Sequence, residues 1–150
     1  MAHYNTKNVY EVIAHAASGK LRADKIKRLR EGNSQALQDV LRGTYDDTIQ
    51  WDLPTGEVPY INTFPDGTEP KKLFSEHMKF KFFVKGFKAG ANLKKRDKES
   101  MFLSILETIH PEDSKLMIKM INKDRIKNIT KAHVCEAFPN LIDLNKQVNK

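Results

Sequence analysis

The residues of this chain that could do chemistry are few and poorly grouped. Glu107-x-x-His110 has the spacing of half a carboxylate-bridged di-metal site, in which one helix presents both ligands one turn apart. Such a site needs a second copy, and the chain has none; a histidine closing a helix beside Pro111 is the alternative reading. His133 and Cys135 stand two apart, so a helix turns them to different sides, and no CxxC or HxxxH completes a ligand set. Cys135 reads as a small core residue, because no histidine–carboxylate pair can be argued to activate it. His77 falls on an apolar stripe as a core histidine. Gly86 and Gly90 flank lysines but match neither phosphate-loop pattern. Catalysis is therefore not expected, and neither is a metal, a cofactor or a small-molecule substrate.

Chemistry of binding is better represented. Lys79, Lys81, Lys85, Lys88, Lys94, Lys95 and Arg96 are interleaved with aromatics, Phe82 among them. Cations gain from counterion release at phosphates, and exposed rings stack on bases, so this run could hold nucleic acid. The competing reading makes Phe80, Phe83 and Phe87 core residues and the lysines a solvated face. A second set surrounds the sole tryptophan: Tyr45, Trp51, Leu53 and Tyr60, in an acidic stretch, could anchor a partner protein together with Phe82. Packing over the chain's own core is the alternative.

Helices must position these residues. Thr6 can cap a helix carrying Val9, Tyr10, Val12, Ile13 and Ala16 on one stripe, ended by Ser18-Gly19. A short basic helix runs from about Asp24 through Leu29 to Gly32-Asn33. Ser34 caps a third, with Leu37, Val40 and Leu41 inward and Gly43 as its stop. Residues 44–69 hold Pro54, Pro59 and Pro65, with Pro70 just beyond, which excludes a continuous helix. Their aromatic and aliphatic content argues for an ordered arm over the helices, with a turn at Pro65-Asp66-Gly67 and a small hairpin. From Pro70 a basic helix is expected to about Lys88, with Leu73, His77, Phe80, Phe83, Val84 and Phe87 on one face and Met78 and Phe82 pointing away among lysines. Met101 to Ile109, Pro111 to Ile121 and a segment capped by Thr130 complete the helices. Leu141, Ile142 and Leu144 form a docking patch in a polar tail. The expectation is an all-α domain of about six to seven helices: a three-helix lobe (1–43), the acidic aromatic arm (44–69), C-terminal helices (70–142) and a tail (143–150).

Totals set the outer limits. The chain has 150 residues, a formal charge of +7 and one cysteine. That length supports one domain burying about two-thirds of its unfolded surface. A lone cysteine excludes an internal disulfide and fits a reducing compartment. No apolar run approaches the ~20 residues that span a bilayer, and the start lacks a secretion-signal layout. Charge is unevenly placed: six acids and no Lys or Arg occupy Gly43 to Glu69, whereas ten Lys or Arg face only Glu76 and Asp97 between Lys71 and Lys98. Lys20, Arg22, Lys25, Lys27, Arg28 and Arg30 make a second basic cluster. Each cluster seeks an opposite charge, in a partner or in the chain's own arm.

The stretch ALQDVLRGTYDDTIQWDLPTGEVPY (Ala36 to Tyr60) resembles a family of small proteins of T-even-like tailed bacteriophages and cyanophages. The resemblance continues at Lys95-Arg96 with Met101-Phe102-Leu103, at ILETIHPEDSKLM (Ile105 to Met117) and at ITKAHVCEAFPNLI (Ile129 to Ile142). More remotely, the family is similar to Mrh, a phage modulator of host heat-shock transcription. The resemblance implies a non-enzymatic accessory protein in the host bacterial cytoplasm, bound to a host or phage macromolecule of the transcription machinery. It transfers no functional residues. Direct RNA or DNA binding through the 71–98 segment and a minor structural place in the virion are the two alternatives.

Overall fold

In a computed structural model, which describes residues 8–54, 56, 60 and 70–142, the apolar stripes become helices. Among these residues the fold is all-α, with seven α-helices, two 3-10 segments and two isolated bridges. Helix α1 (Val9–Ala17) buries Val9, Val12, Ile13 and Ala16, and is opened by Asn8, whose N–H donates to the Glu11 carboxylate at 3.1 Å. Helix α2 (Arg22–Glu31) buries only Ile26 and Leu29. Helix α3 (Gln35–Tyr45) starts where the Ser34 hydroxyl accepts from the Leu37 N–H at 3.0 Å. It continues two residues beyond Gly43, where the sequence suggested a stop.

The largest departure lies between 70 and 90. The continuous helix expected from Pro70 to Lys88 is instead a four-residue turn, α4 (Leu73–Glu76), a 3-10 segment His77–Phe83, an extended Val84, and a second 3-10 turn Lys88–Gly90. Gly86, at φ +79, supplies a backbone conformation open chiefly to glycine and breaks the run. Bridge pairing accounts for the extended residue. The Asp52 N–H donates to the Phe83 carbonyl at 2.6 Å and the Lys85 N–H to the Gln50 carbonyl at 2.8 Å, around an antiparallel Trp51–Val84 pair. A strap of the arm thus takes the hydrogen bonds that an α-helix would have kept.

Helices α5 (Lys95–Thr108), α6 (Pro111–Ile121) and α7 (Lys131–Ala137) follow. Helix α1 packs on α2 and α6, α2 on α7, α3 on α6, α4 and the long 3-10 segment, and α5 on α6. The shared core includes Leu37, Leu41, Phe83, Leu106, Met117 and Val134. Ile142 is buried and Leu141 half-buried, while Leu144 and the rest of the tail lie outside the described residues. So do Thr6, the 65–67 turn, the expected hairpin and most of the arm beyond Pro54. Among the described residues no helix is long and apolar enough to cross a membrane.

Candidate functional site

The two basic clusters have different fates. In α2 the cations are engaged by the fold itself. Arg28 donates to the His15 carbonyl at 2.8 Å, and Arg30 to the Glu136 and Ala137 carbonyls at 2.8 and 3.3 Å. These are the last carbonyls of α1 and α7, which lack helical partners and favour a cation. Lys25 reaches the Asn128 carbonyl at 2.7 Å, and Arg22 pairs with Glu136 at 2.6 Å. The second cluster differs. Lys79 pairs with buried Glu76 at 2.7 Å and Lys98 with Asp52 at 2.8 Å. Lys81, Lys85, Lys88, Lys94, Lys95 and Arg96 are exposed and form no ion pair among the described residues. Lys94, Lys95 and Arg96 sit at the N-terminus of α5, the end where the helix dipole disfavours cations.

The arm's acids are committed as far as they are described. Asp46 pairs with Arg42 at 3.3 Å and accepts from the Thr48 N–H, Asp47 pairs with Lys131 at 3.1 Å, and Asp52 with Lys98. The Lys98 hydrogen bond, with Lys95 and Lys85 adding their fields, holds the Asp52 carboxyl below its usual range. Glu57, Asp66 and Glu69 lie outside the described residues.

The rings expected to dock a partner are mostly inside. Tyr45, Trp51 and Leu53 are buried core residues, and of these Trp51 also lines a groove. The Tyr45 hydroxyl donates to the Ile129 carbonyl at 2.5 Å and accepts from the Ile126 N–H at 3.0 Å; burial pushes the phenol's pKa up. The Trp51 indole N–H donates to the Gly43 carbonyl at 3.0 Å. Tyr60 is half-buried against the core, and half-buried Phe82 lies under the Lys81 ammonium, 5.5 Å from its ring centre. Of the expected residues, Trp51 and Lys81 come together in one groove.

That site is an open groove of about 590 Å³ between α3 and the His77–Phe87 stretch. One wall is the α3 face carrying Gln35, Asp39, Arg42 and Gly43. The floor is Trp51 and Phe80, set edge-to-face at 6.2 Å and 88°, with Val84 and Ile49 beside them. The other wall is Met78, Lys81 and Phe87. Met78 is 65% and Phe87 49% exposed, and only Leu21 joins them as an exposed large hydrophobe among the described residues. Phe87, expected on the core stripe, is thrown outward because the helical winding ends at Phe83 and the chain turns at Gly86. His77 Nδ1 meets Asp39 Oδ2 at 2.5 Å, while the Gln35 amide donates to Asp39 Oδ1 at 3.0 Å. Both carboxylate oxygens are thereby occupied. Sequence reading missed this groove because it placed Met78 and His77 on an α-helical wheel. The signal was present as a three-residue period in residues 77–87.

The other chemistry-bearing residues have structural tasks. His110 Nδ1 accepts from the Glu112 N–H at 3.1 Å, opening α6, and its ring stacks on Tyr10 at 4.6 Å. Asp113 is fully buried; its Oδ1 accepts from the Tyr10 N–H at 3.0 Å, and its Oδ2 has no hydrogen-bond partner among the described residues. Burial pushes this carboxyl up to about 6, against the pull of the Tyr10 bond. His133 accepts from the Thr130 N–H at 3.0 Å, and desolvation with Lys25 and Arg22 nearby lowers its pKa. Burial raises the Cys135 thiol. Among the described residues no group of three or more His, Cys, Asp or Glu could hold a metal ion.

No curated protein and no solved structure matches the chain. A family model does match, over residues 12–127, a span that takes in α3, the strap and both walls of the groove. The chain belongs to this family of unknown function, DUF6433.

Proposed function

We propose that the protein is a non-enzymatic bacteriophage accessory protein that binds a host or phage macromolecule of the transcription machinery. The phage setting and the remote likeness to Mrh come from the sequence resemblance. One observation carries the binding role: a solvent-open apolar groove, lipped by exposed Met78 and Phe87, beside cations that form no ion pair among the described residues. Exposed bulky apolar side chains lose free energy in water unless something covers them, and contiguous ones mark interaction sites. An affinity pull-down from infected cells with the full chain tests the reading. It should recover polymerase, a sigma factor or another regulatory protein; recovery of none overturns it.

A second reading is direct binding of RNA or DNA, favoured by the exposed cations from Lys81 to Arg96. Each phosphate neutralised should steepen the salt dependence of binding by about one power of salt concentration. Charge reversal at Lys81, Lys85 and Lys88 should abolish a low-salt gel shift, and absence of any shift in the native protein refutes this reading.

A further inference from the structure

The groove itself indicates what kind of partner it takes. Resting on the reading above, we infer that it seats a short peptide segment of a partner protein that is both acidic and bulky-apolar. The apolar requirement follows from the floor. Trp51 and Phe80 are 8% and 5% exposed and stand perpendicular to each other, so the floor offers an entering group little open ring face. That surface suits a leucine or phenylalanine side chain inserted between Met78 and α3. A nucleobase instead needs an open ring face for stacking.

The acidic requirement follows from the charges that remain available at the rim. Asp39 has one oxygen on Gln35 and the other on His77, so both oxygens on the α3 wall are already hydrogen-bonded within the chain. Opposite it Lys81 is exposed with no ion pair among the described residues, and Lys85 and Lys88 flank Phe87 in sequence. A carboxylate on the incoming segment therefore finds an ammonium, whereas a cationic segment meets repulsion. The volume, about 590 Å³, is within the ~300–1,000 Å³ range of clefts that hold a few side chains or a small ligand.

The test uses the full chain and its sole tryptophan as reporter. Four tryptophan-free probes are titrated: a 14-residue peptide with Leu and Phe at helical i, i+3, i+4 spacing and Glu or Asp elsewhere; its Lys-for-acid counterpart; its Ala-for-apolar counterpart; and a 14-nucleotide oligo-dT. Trp51 emission should shift with the first peptide only. Its affinity should exceed that of the other three by about tenfold or more, a 1.4 kcal/mol difference. Phe87→Ala and Lys81→Glu, both at exposed positions, should each weaken it by about tenfold with the thermal midpoint unchanged. Equal affinity for the Ala-for-apolar peptide, tighter binding of oligo-dT, or indifference to Phe87→Ala overturns the inference. The pull-down separates it from the functional reading. If a regulatory protein is recovered equally by native chain and by Phe87→Asp, the function stands and the groove inference falls. If the acidic peptide binds as described while no regulatory protein is recovered, the groove inference stands and the function falls.

Discussion

Gly43 is where the strap, α3 and α6 meet, and replacing it by alanine tests the geometry that makes the groove floor. A Cβ built there would lie 2.5 Å from Trp51 Cζ2 and 2.8 Å from Met120 Sδ. Met120 is fully buried, and Trp51 is fixed by its bond to the Gly43 carbonyl, by its edge contact with Phe80 and by the bridge to Val84. Neither neighbour can step aside freely. Overpacking of this kind costs about 1–3 kcal/mol, and a weakened indole hydrogen bond adds about 1 kcal/mol. Better helix propensity returns about 0.5–1 kcal/mol. The net expectation for Gly43→Ala is a loss of about 2 kcal/mol, or about 4–8 °C in melting temperature for a chain of this size. Urea and thermal unfolding followed by far-UV circular dichroism measure it without relying on the perturbed tryptophan. Trp51→Phe removes the ring that holds Cζ2. In that background Gly43→Ala should cost about 1 kcal/mol less, a coupling that a double-mutant cycle isolates. The lost indole donor does not orphan the Gly43 carbonyl, because Lys123 Nζ also donates to it at 2.7 Å. If Gly43→Ala is neutral or stabilising in the native background, Trp51 does not cross α3 and the groove floor is wrongly drawn.

Asp113 should make stability fall with rising pH. Its folded pKa, about 6, lies above the ordinary 3.8, so its contribution is fully present below about pH 3.8 and is lost as pH rises through 6. At about 1.4 kcal/mol per pH unit the full loss is about 3 kcal/mol, of which about 2.5 kcal/mol falls between pH 4 and pH 7.5; Asp113→Asn should gain that much relative to native over this window, and equal pH profiles in urea melts refute it. Lys123 Nζ donates to the Gly43 and Asp46 carbonyls at 2.7 and 2.8 Å, closing α3, and Lys123→Met should cost about 1.5–3 kcal/mol in the same melts, with less than 0.5 kcal/mol counting against it. Cys135, with its thiol pKa raised by burial, should react with iodoacetamide at pH 7.5 far more slowly in the folded chain than in urea; equal rates would show it exposed.

What could be read from sequence was the apolar periodicity. The stripes of α1, α3 and α6 are regular over two turns or more, and the starts of α3, α6 and α7 at Ser34, Pro111 and Thr130 carry recognisable caps. Stops were harder. Gly43 looks like a helix terminator because glycine usually is one, but here its missing side chain makes room for Trp51, a contact eight residues away that local pattern does not encode. The role of the α2 cations was equally hidden. Arg28 and Arg30 look like a nucleic-acid patch until the carbonyl ends of α1 and α7 are placed beside them. Charge clustering in sequence reports that partners are needed, and only the fold says whether the chain supplies them.

The three-residue period explains why the groove exists at all. In a 3-10 helix each residue advances about 120°, so i and i+3 eclipse; in an α-helix the advance is about 100°. Along this stretch His77, Phe80 and Phe83 form one ridge, and the latter two are buried. Met78 and Lys81 lie on a second ridge, and beyond it the extended Val84 and the turn at Gly86 bring Phe87 to the same groove. An α-helix would have carried Lys81 about 80° round from this ridge relative to His77, towards the core side. It would also have scattered the exposed thioether, ammonium and ring that now share one wall. Segments of 3-10 helix longer than three or four residues are uncommon because their hydrogen bonds are poorer. This one spans seven residues and is anchored at its end by the Gln50–Asp52 strap, which takes over the backbone bonds at Phe83 and Lys85. The strap therefore does more than cover apolar surface: by pairing with the backbone at Phe83 and Lys85 it ends the tighter winding and fixes the extended Val84, so that Phe87 comes to the same groove as Met78 and Lys81.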